Sequence, residues 1–324
     1  MTSRGPETPP APAGATPRGA TTLRVTLPSA AWVAGVGPLP GVEFSVWDLG
    51  ADWTGPEPHV VVPPYMGRPP YAERLAGRLE LRLVQLLTNG YDGVPEQLPP
   101  GVALSNAAGV HEASTAELAL GLVLASRRGI DDAARGMATG EWAAARRPAL
   151  ADSSVLVVGW GGVGRAVGAR LRPFEVELTA LASTPRVEDG VTVHGPEDLP
   201  RLLPAQDVVI LACPLSEQTR GLVDAGFLAA MRDGALLVNV ARGPVVDTGA
   251  LLAETAAGRL RAALDVTDPE PLPPAHPLWR TPGVLITPHV GGNSTAFRPR
   301  AVRLLRRQLA TLAAGGTPEN VVAG

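Results

Sequence analysis

Three side chains of complementary chemistry stand late in the sequence: Arg242, Glu270 and His289, each beyond a short apolar run. A guanidinium offers a planar fork that matches a carboxylate and can polarise a neighbouring carbonyl. An imidazole titrates near neutrality and can give or take a proton. A carboxylate beside that ring holds it and favours its protonated form. Taken singly, each has a bland explanation. An arginine after a strand is commonly a surface group, a glutamate is commonly solvated, and a histidine is more often structural than reactive. Together, at the ends of strands, they suit carboxylate binding coupled to proton transfer. The remaining histidines, His59, His111, His194 and His276, lack such company and read as structural. Cys213 closes an apolar run and reads as packing. Five scattered histidines and one cysteine give no metal-ligand spacing, so no metal is expected.

A phosphate-binding signature lies upstream. The apolar residues 155–158 run into Gly159-Trp160-Gly161-Gly162-Val163-Gly164, a G-x-G-x-x-G between a strand and a helix. Gly159 permits the tight turn, Gly161 admits a pyrophosphate to the backbone, and Gly164 lets helix and strand pack closely. Free N–H groups and the helix dipole favour the anion there, beside Gly162 and Val163. In a chain with 37 glycines the motif alone is weak; the strand before it and the sheet after it make it a dinucleotide site. The second strand of such a site normally ends in an acid that grips the ribose 2′-hydroxyl. Here residues 176–181 run into Ala182-Ser183-Thr184-Pro185-Arg186. Ala182 replaces the acid, and Ser183, Thr184 and Arg186 are donors suited to a 2′-phosphate. NADP is therefore the expected cofactor, with NAD possible if Arg186 merely faces solvent.

The elements that must position these groups form two alternating series. Strands are expected at 23–27, 42–47, 60–62 and 81–87, with a helix over 72–77. A long helix to about Arg128 is expected to open with a capping box from Ser114 to Glu117. The second series has strands at 155–158, 176–181, 208–212, 236–240, 262–266 and 284–286. Helices are expected at 163–171, 225–231 and 250–258, with a last one near 298–314. The rhythm predicts an α/β protein of doubly wound parallel sheets.

Composition narrows the classes. All 28 basic residues are arginine against 31 acidic ones, for a net charge of −3. The absence of lysine excludes Schiff-base chemistry and a P-loop. The near-neutral balance leaves no footprint for nucleic acid. One cysteine permits no internal disulfide, and the longest apolar run, 118–125, is too short to cross a membrane. Residues 1–22 read as a disordered tail, and a soluble, cytoplasmic protein is expected.

Several segments occur in a fixed order: Thr88-Asn89-Gly90-Tyr91-Asp92, Asn106 to Val110, the glycine turn, Asn239 to Asp247, Asp265 to Leu272, and Thr287 to Gly292. In that order they resemble the D-isomer-specific 2-hydroxyacid dehydrogenases, from Leu23 to near the end of the chain. The resemblance implies two Rossmann-like domains with the active site in the cleft between them. It implies a substrate domain of residues 23–117 and 296–324, and a dinucleotide domain of 118–295. Arg242 would bind the carboxylate of a small 2-oxo acid, His289 would protonate its carbonyl oxygen, and Glu270 would hold His289. Asn89 and Gly90 would complete the substrate site. Thr115, Pro214, Thr219, Val240, Ala241, Asp265 and Gly291 would line the cofactor. Tyr65 and Met66 are placed at the substrate pocket, or packed beneath their loop. A homodimer through an arm over 127–150, including Trp142, is also implied. Glyoxylate or hydroxypyruvate is the expected substrate. Two other readings stay open: a phosphoglycerate dehydrogenase, with Arg68 and Arg74 as phosphate ligands, and a non-catalytic dinucleotide-sensing scaffold.

Overall fold

A computed structural model of the chain describes residues 22–67 and 69–324. The expected tail and Arg68 therefore fall outside the described residues, apart from Thr22. The first sheet is built from β1 (Leu23–Leu27), β2 (Val42–Val46), β3 (Val60–Val61), β4 (Leu83–Gln85) and β5 (Ala103–Ser105). Helices α1 (Ala30–Val36) and α2 (Tyr71–Arg74) lie between them, and α3 (Glu112–Arg128) and α4 (Ile130–Met137) follow.

A second sheet holds β6 (Ser154–Val158), β7 (Glu177–Leu181), β8 (Arg186–Glu188), β9 (Val191–His194), β10 (Val208–Leu211), β11 (Leu236–Asn239), β12 (Arg261–Leu264) and β13 (Val284–Ile286). Its helices are α5 (Gly162–Leu171), α6 (Leu199–Leu202), α7 (Ala225–Ala230) and α8 (Thr248–Ala256). The chain then forms α9 (Phe297–Ala313) and β14 (Val321–Ala323), which returns to the first sheet.

The strand orders are β14-β5-β4-β3-β1-β2 and β13-β12-β11-β10-β6-β7-β9-β8. Pairing is parallel except for β14 on β5 and the β8–β9 hairpin. In the second sheet the order reverses between β6 and β10, and ligands bind beyond the strand ends at such a point. Both faces of its strands are buried. Val155 and Val157 of β6 enter one core, while Leu156 and Val158 enter the opposite one. That explains why these strands read as continuous apolar runs rather than as alternating patterns.

Three differences from the sequence reading have local causes. The capping box is absent: α3 starts three residues earlier, His111 is its N-cap, and the Ser114 hydroxyl donates to the His111 carbonyl at 3.1 Å. Glu117 is then in the second turn and pairs instead with Arg170. Second, β5, β8, β9, β14, α1, α4 and α6 are not among the expected elements, because they are short or polar and lack a strong period. Third, several strands are one to four residues shorter than their apolar runs, since pairing ends before burial does.

α9 packs on the first sheet through Ala301, Leu304, Leu305 and Leu309. A buried amide relay secures it. Gln308 donates to the Gln85 side chain at 2.8 Å and accepts from the Glu319 N–H at 2.7 Å. Gln85 donates onward to the carbonyls of Leu86 and Asn106, at 2.9 and 3.0 Å. Breaking such a relay leaves buried polar groups unpaired, at about 1–3 kcal/mol each. Gln308→Leu should lower the unfolding free energy obtained from urea titration by an amount in that range, and a value equal to wild type would show that the relay contributes nothing.

Candidate active site

The glycine turn follows the end of β6. Gly159 has φ of +104°, a left-handed conformation, and a Cβ there would lie 2.5 Å from the Cys213 N atom. At Gly164 the backbone of Gly159 leaves no room for a Cβ, so helix and strand touch directly. Gly161, by contrast, faces open space at the N-terminus of the ten-residue α5. An open backbone at a helix N-terminus fits a dinucleotide pyrophosphate. Trp160 is buried beneath α5 against Gly168.

Past β7, Ser183 and Thr184 are exposed. Arg186 does not extend into solvent. Its Nη2 donates to the Trp160 carbonyl at 3.3 Å and its Nη1 to the Thr184 carbonyl at 3.0 Å, while its Nε pairs with Glu188 at 2.8 Å. The guanidinium thus lies alongside the glycine turn. Past β10, the Thr219 hydroxyl donates to the Pro214 carbonyl at 2.6 Å and accepts from the Ser216 N–H, closing that loop.

The three reactive candidates leave neighbouring strands. Arg242 follows β11, Glu270 follows β12 and His289 follows β13, and these strands are adjacent in the sheet. Adjacent strands are about 5 Å apart, so their exits converge on one rim. Glu270 Oε1 lies 2.6 Å from His289 Nδ1. With Glu270 ionised, Nδ1 carries the proton and donates, which leaves Nε2 for a reactant. Both side chains are partly open, at 41% and 31% exposure.

Arg242 is fixed from two sides. Asn239, on the buried end of β11, donates to the Arg242 carbonyl and accepts from the Ala241 N–H, both at 3.0 Å. The guanidinium Nε donates to Asp92 at 3.0 Å and Nη1 to the Ala241 carbonyl at 2.7 Å. Gly90 presses so closely on Nη2 that a Cβ would collide with it. Residues 90 and 92 come from the first sheet's side, so Arg242 is held between groups carried by both sheets. Among the described residues Nη2 makes no hydrogen bond, and that edge can bind a carboxylate.

His289 has φ of +52°, unusual for a side-chain-bearing residue. Its N–H donates to the carbonyls of Asp265 and Thr287, at 2.8 and 3.0 Å. The Asp265 carboxylate, 3% exposed, accepts from the Thr287 hydroxyl at 2.7 Å and from the N–H groups of Val290 and Gly291 at 2.9 Å. Four lone pairs on a carboxylate leave one acceptor position for a ligand amide. Gly291 sits against Asp265 and Thr115, while Val240 and Ala241 are buried behind this rim.

Asn89 donates to Glu112 at 3.2 Å, and its carbonyl accepts from Asn106 at 2.9 Å. Tyr65 stacks on Phe297 at 4.0 Å and on His111 at 5.6 Å, and burial raises the pKa of its hydroxyl. Met66 is exposed. Arg74, weighed as a phosphate ligand, is committed to Asp52 and Glu73 at 2.7 and 2.8 Å. Sequence reasoning overlooked Asp92, Arg165 and Glu188. Asp92 sat within the run Thr88–Asp92, but no spacing signals an ion pair across 150 residues. Among the described residues no group of His, Cys, Asp and Glu could hold a metal ion, and no helix is long and apolar enough to cross a membrane.

Residues 120–291, more than half of the chain, match the family model for the NAD binding domain of D-isomer specific 2-hydroxyacid dehydrogenases. The glyoxylate reductase of Thermofilum pendens is 32% identical over 262 residues, covering 78% of this chain and 77% of its own. The glyoxylate/hydroxypyruvate reductase A of Serratia proteamaculans is 32% identical over 302 residues, covering 90% and 94%. A D-isomer specific 2-hydroxyacid dehydrogenase of Xanthobacter autotrophicus, solved with NADPH and MES, superposes with a TM-score of 0.80 at 29% identity, covering 93% and 98%. The order of the motifs, the two sheets and these likenesses agree, and the chain belongs to the D-isomer specific 2-hydroxyacid dehydrogenase family.

Proposed function

We propose that this enzyme reduces a small 2-oxo acid, glyoxylate or hydroxypyruvate, to the 2-hydroxy acid, with NADPH preferred and NADH usable. The observation that carries the reading is the Glu270–His289 contact on the rim that also bears Arg242. When bound, the nicotinamide supplies a hydride for the carbonyl carbon. Arg242 Nη2 binds the substrate carboxylate, and its positive charge polarises the adjacent carbonyl. Asn89 and Gly90 border this carboxylate site, and Tyr65 borders the side-chain pocket. As charge develops on the carbonyl oxygen, His289 Nε2–H donates its proton there, and Glu270 stabilises the imidazolium beforehand. The product is neutral at that oxygen, and the ring takes up a proton again before the next turnover.

The cofactor reading rests on Ala182 standing where an acid is usual and on Arg186 lying against the glycine turn. Pro214, Thr219, Val240, Ala241, Asp265 and Gly291 are assigned to the nicotinamide half of the site. The substrate unit comprises 23–117 and 296–324, and the dinucleotide unit 118–295. We place the enzyme in the cytoplasm as a homodimer through the arm over 127–150, where Ile130, Met137 and Trp142 are exposed apolar groups. Neither alternative is better supported: of the phosphate ligands weighed for a phosphoglycerate dehydrogenase, Arg74 is occupied by carboxylates, and a scaffold has no use for a paired histidine.

The purified chain should oxidise NADPH with glyoxylate or hydroxypyruvate, and no turnover with any 2-oxo acid would refute the assignment. His289→Ala should lower kcat about a hundredfold or more, the usual worth of a general acid, while NADPH still binds. Arg242→Ala should raise KM for the oxo acid as well as lower kcat, because it touches substrate in both states. Unchanged kinetics in either variant would remove that residue from its role.

A further inference from the structure

Resting on the cofactor reading above, a second arginine and an acid stand beside Arg186. Arg165, in the first turn of α5, donates from Nε to Glu188 Oε1 at 2.7 Å, while Arg186 donates from Nε to Glu188 Oε2 at 2.8 Å. One carboxylate therefore bridges two guanidiniums, one on the helix that opens at the glycine turn and one touching the turn's own carbonyl at Trp160. We propose that Glu188 is the residue that sets the NADPH-to-NADH preference, with Arg165 as a second ligand for the 2′-phosphate.

Bond counting leads to this. Both Nε–H groups are spent on Glu188, so the carboxylate aligns two like charges that would otherwise repel. Among the described residues the Nη groups of Arg165 make no hydrogen bond, and Arg186 has one N–H left on each Nη. These edges can take a phosphate in forks. Each Glu188 oxygen, accepting one bond, retains a lone pair for a ribose hydroxyl. Glu188 thus supplies, from the β8 end of a hairpin, the acceptor that Ala182 does not supply at the end of β7. The three groups carry one surplus positive charge. That attracts a phosphate dianion, but the carboxylate repels it and moderates the preference. NADH meets the acceptor, and NADPH meets the forks.

The test is the dissociation constants of NADPH and NADH for the full chain, by fluorescence titration, in wild type, Glu188→Gln, Arg165→Ala and Arg186→Ala. Glu188→Gln should shift the ratio about tenfold toward NADPH, tightening NADPH and weakening NADH, because about 1.4 kcal/mol of charge-assisted bonding is one decade. Arg165→Ala should shift it about tenfold the other way, through NADPH alone. Glu188→Ala, which removes both the charge and the acceptor, should move the ratio as Glu188→Gln does, and serves if the amide variant fails to fold. If Arg186→Ala weakens NADPH while the Glu188 and Arg165 variants keep the ratio within twofold of wild type, this inference is wrong and the cofactor reading stands. If Arg186→Ala leaves NADPH binding unchanged, the cofactor reading fails and takes this inference with it.

Discussion

A single buried carboxylate, Asp265, fixes where His289 stands. It leaves β12 and accepts three hydrogen bonds from the loop beyond β13, two from backbone N–H groups and one from the Thr287 hydroxyl. A buried carboxylate is stable only when it is well bonded, so the loop is held as firmly as the charge needs partners. His289 sits inside this clamp with φ of +52°, a conformation that a free loop would abandon. The clamp points the ring at Glu270, 2.6 Å away, and the parallel order of β11, β12 and β13 brings Arg242 to the same rim. Geometry on one edge of a sheet thus brings a carboxylate-paired imidazole and a guanidinium to the same rim.

The second sheet supplies one side of the site and the first sheet the other. Arg242 reaches Asp92 and lies against Gly90, both carried by the loop after β4. Glu112, at the start of α3, accepts from Asn89 and from the Gly109 N–H, and it touches Gly162 of the glycine turn. The loop after β4 and the glycine turn therefore share a neighbour. The amide relay of Gln85 and Gln308 keeps α9 on the first sheet, although 223 residues separate the pair. The Arg242–Asp92 and Gln308–Gln85 contacts each join parts of the chain that are far apart in sequence.

What could be read in advance follows from periodicity and bonding range. The strands at 155–158, 208–211 and 236–239 stood out because two buried faces make an unbroken apolar run. The glycine turn was legible because close packing and positive φ each demand glycine at fixed offsets. Arg242, Glu270 and His289 were legible because each follows such a strand. The hairpin of β8 and β9 was not, since Val187 points outward and its neighbours are charged. The partners of Arg242 and of Arg165 were hidden for another reason. Ion pairs carry no spacing rule once the chain has folded between them, and Glu188 is recognised only when both arginines are seen to share it. The start of α3 was misplaced because Ser114 satisfies its hydroxyl on the His111 carbonyl rather than at a cap.

The placement of a 2-oxo acid between Arg242 and His289 is the centre of this account. The most direct measurement is a crystal structure of the enzyme with NADPH and oxamate, an unreactive analogue of a 2-oxo acid. The oxamate carboxylate should lie on the Nη edge of Arg242 and its carbonyl oxygen on His289 Nε2, both at about 2.7–3.1 Å. Oxamate bound away from His289, or with its carboxylate held by other residues, would contradict it.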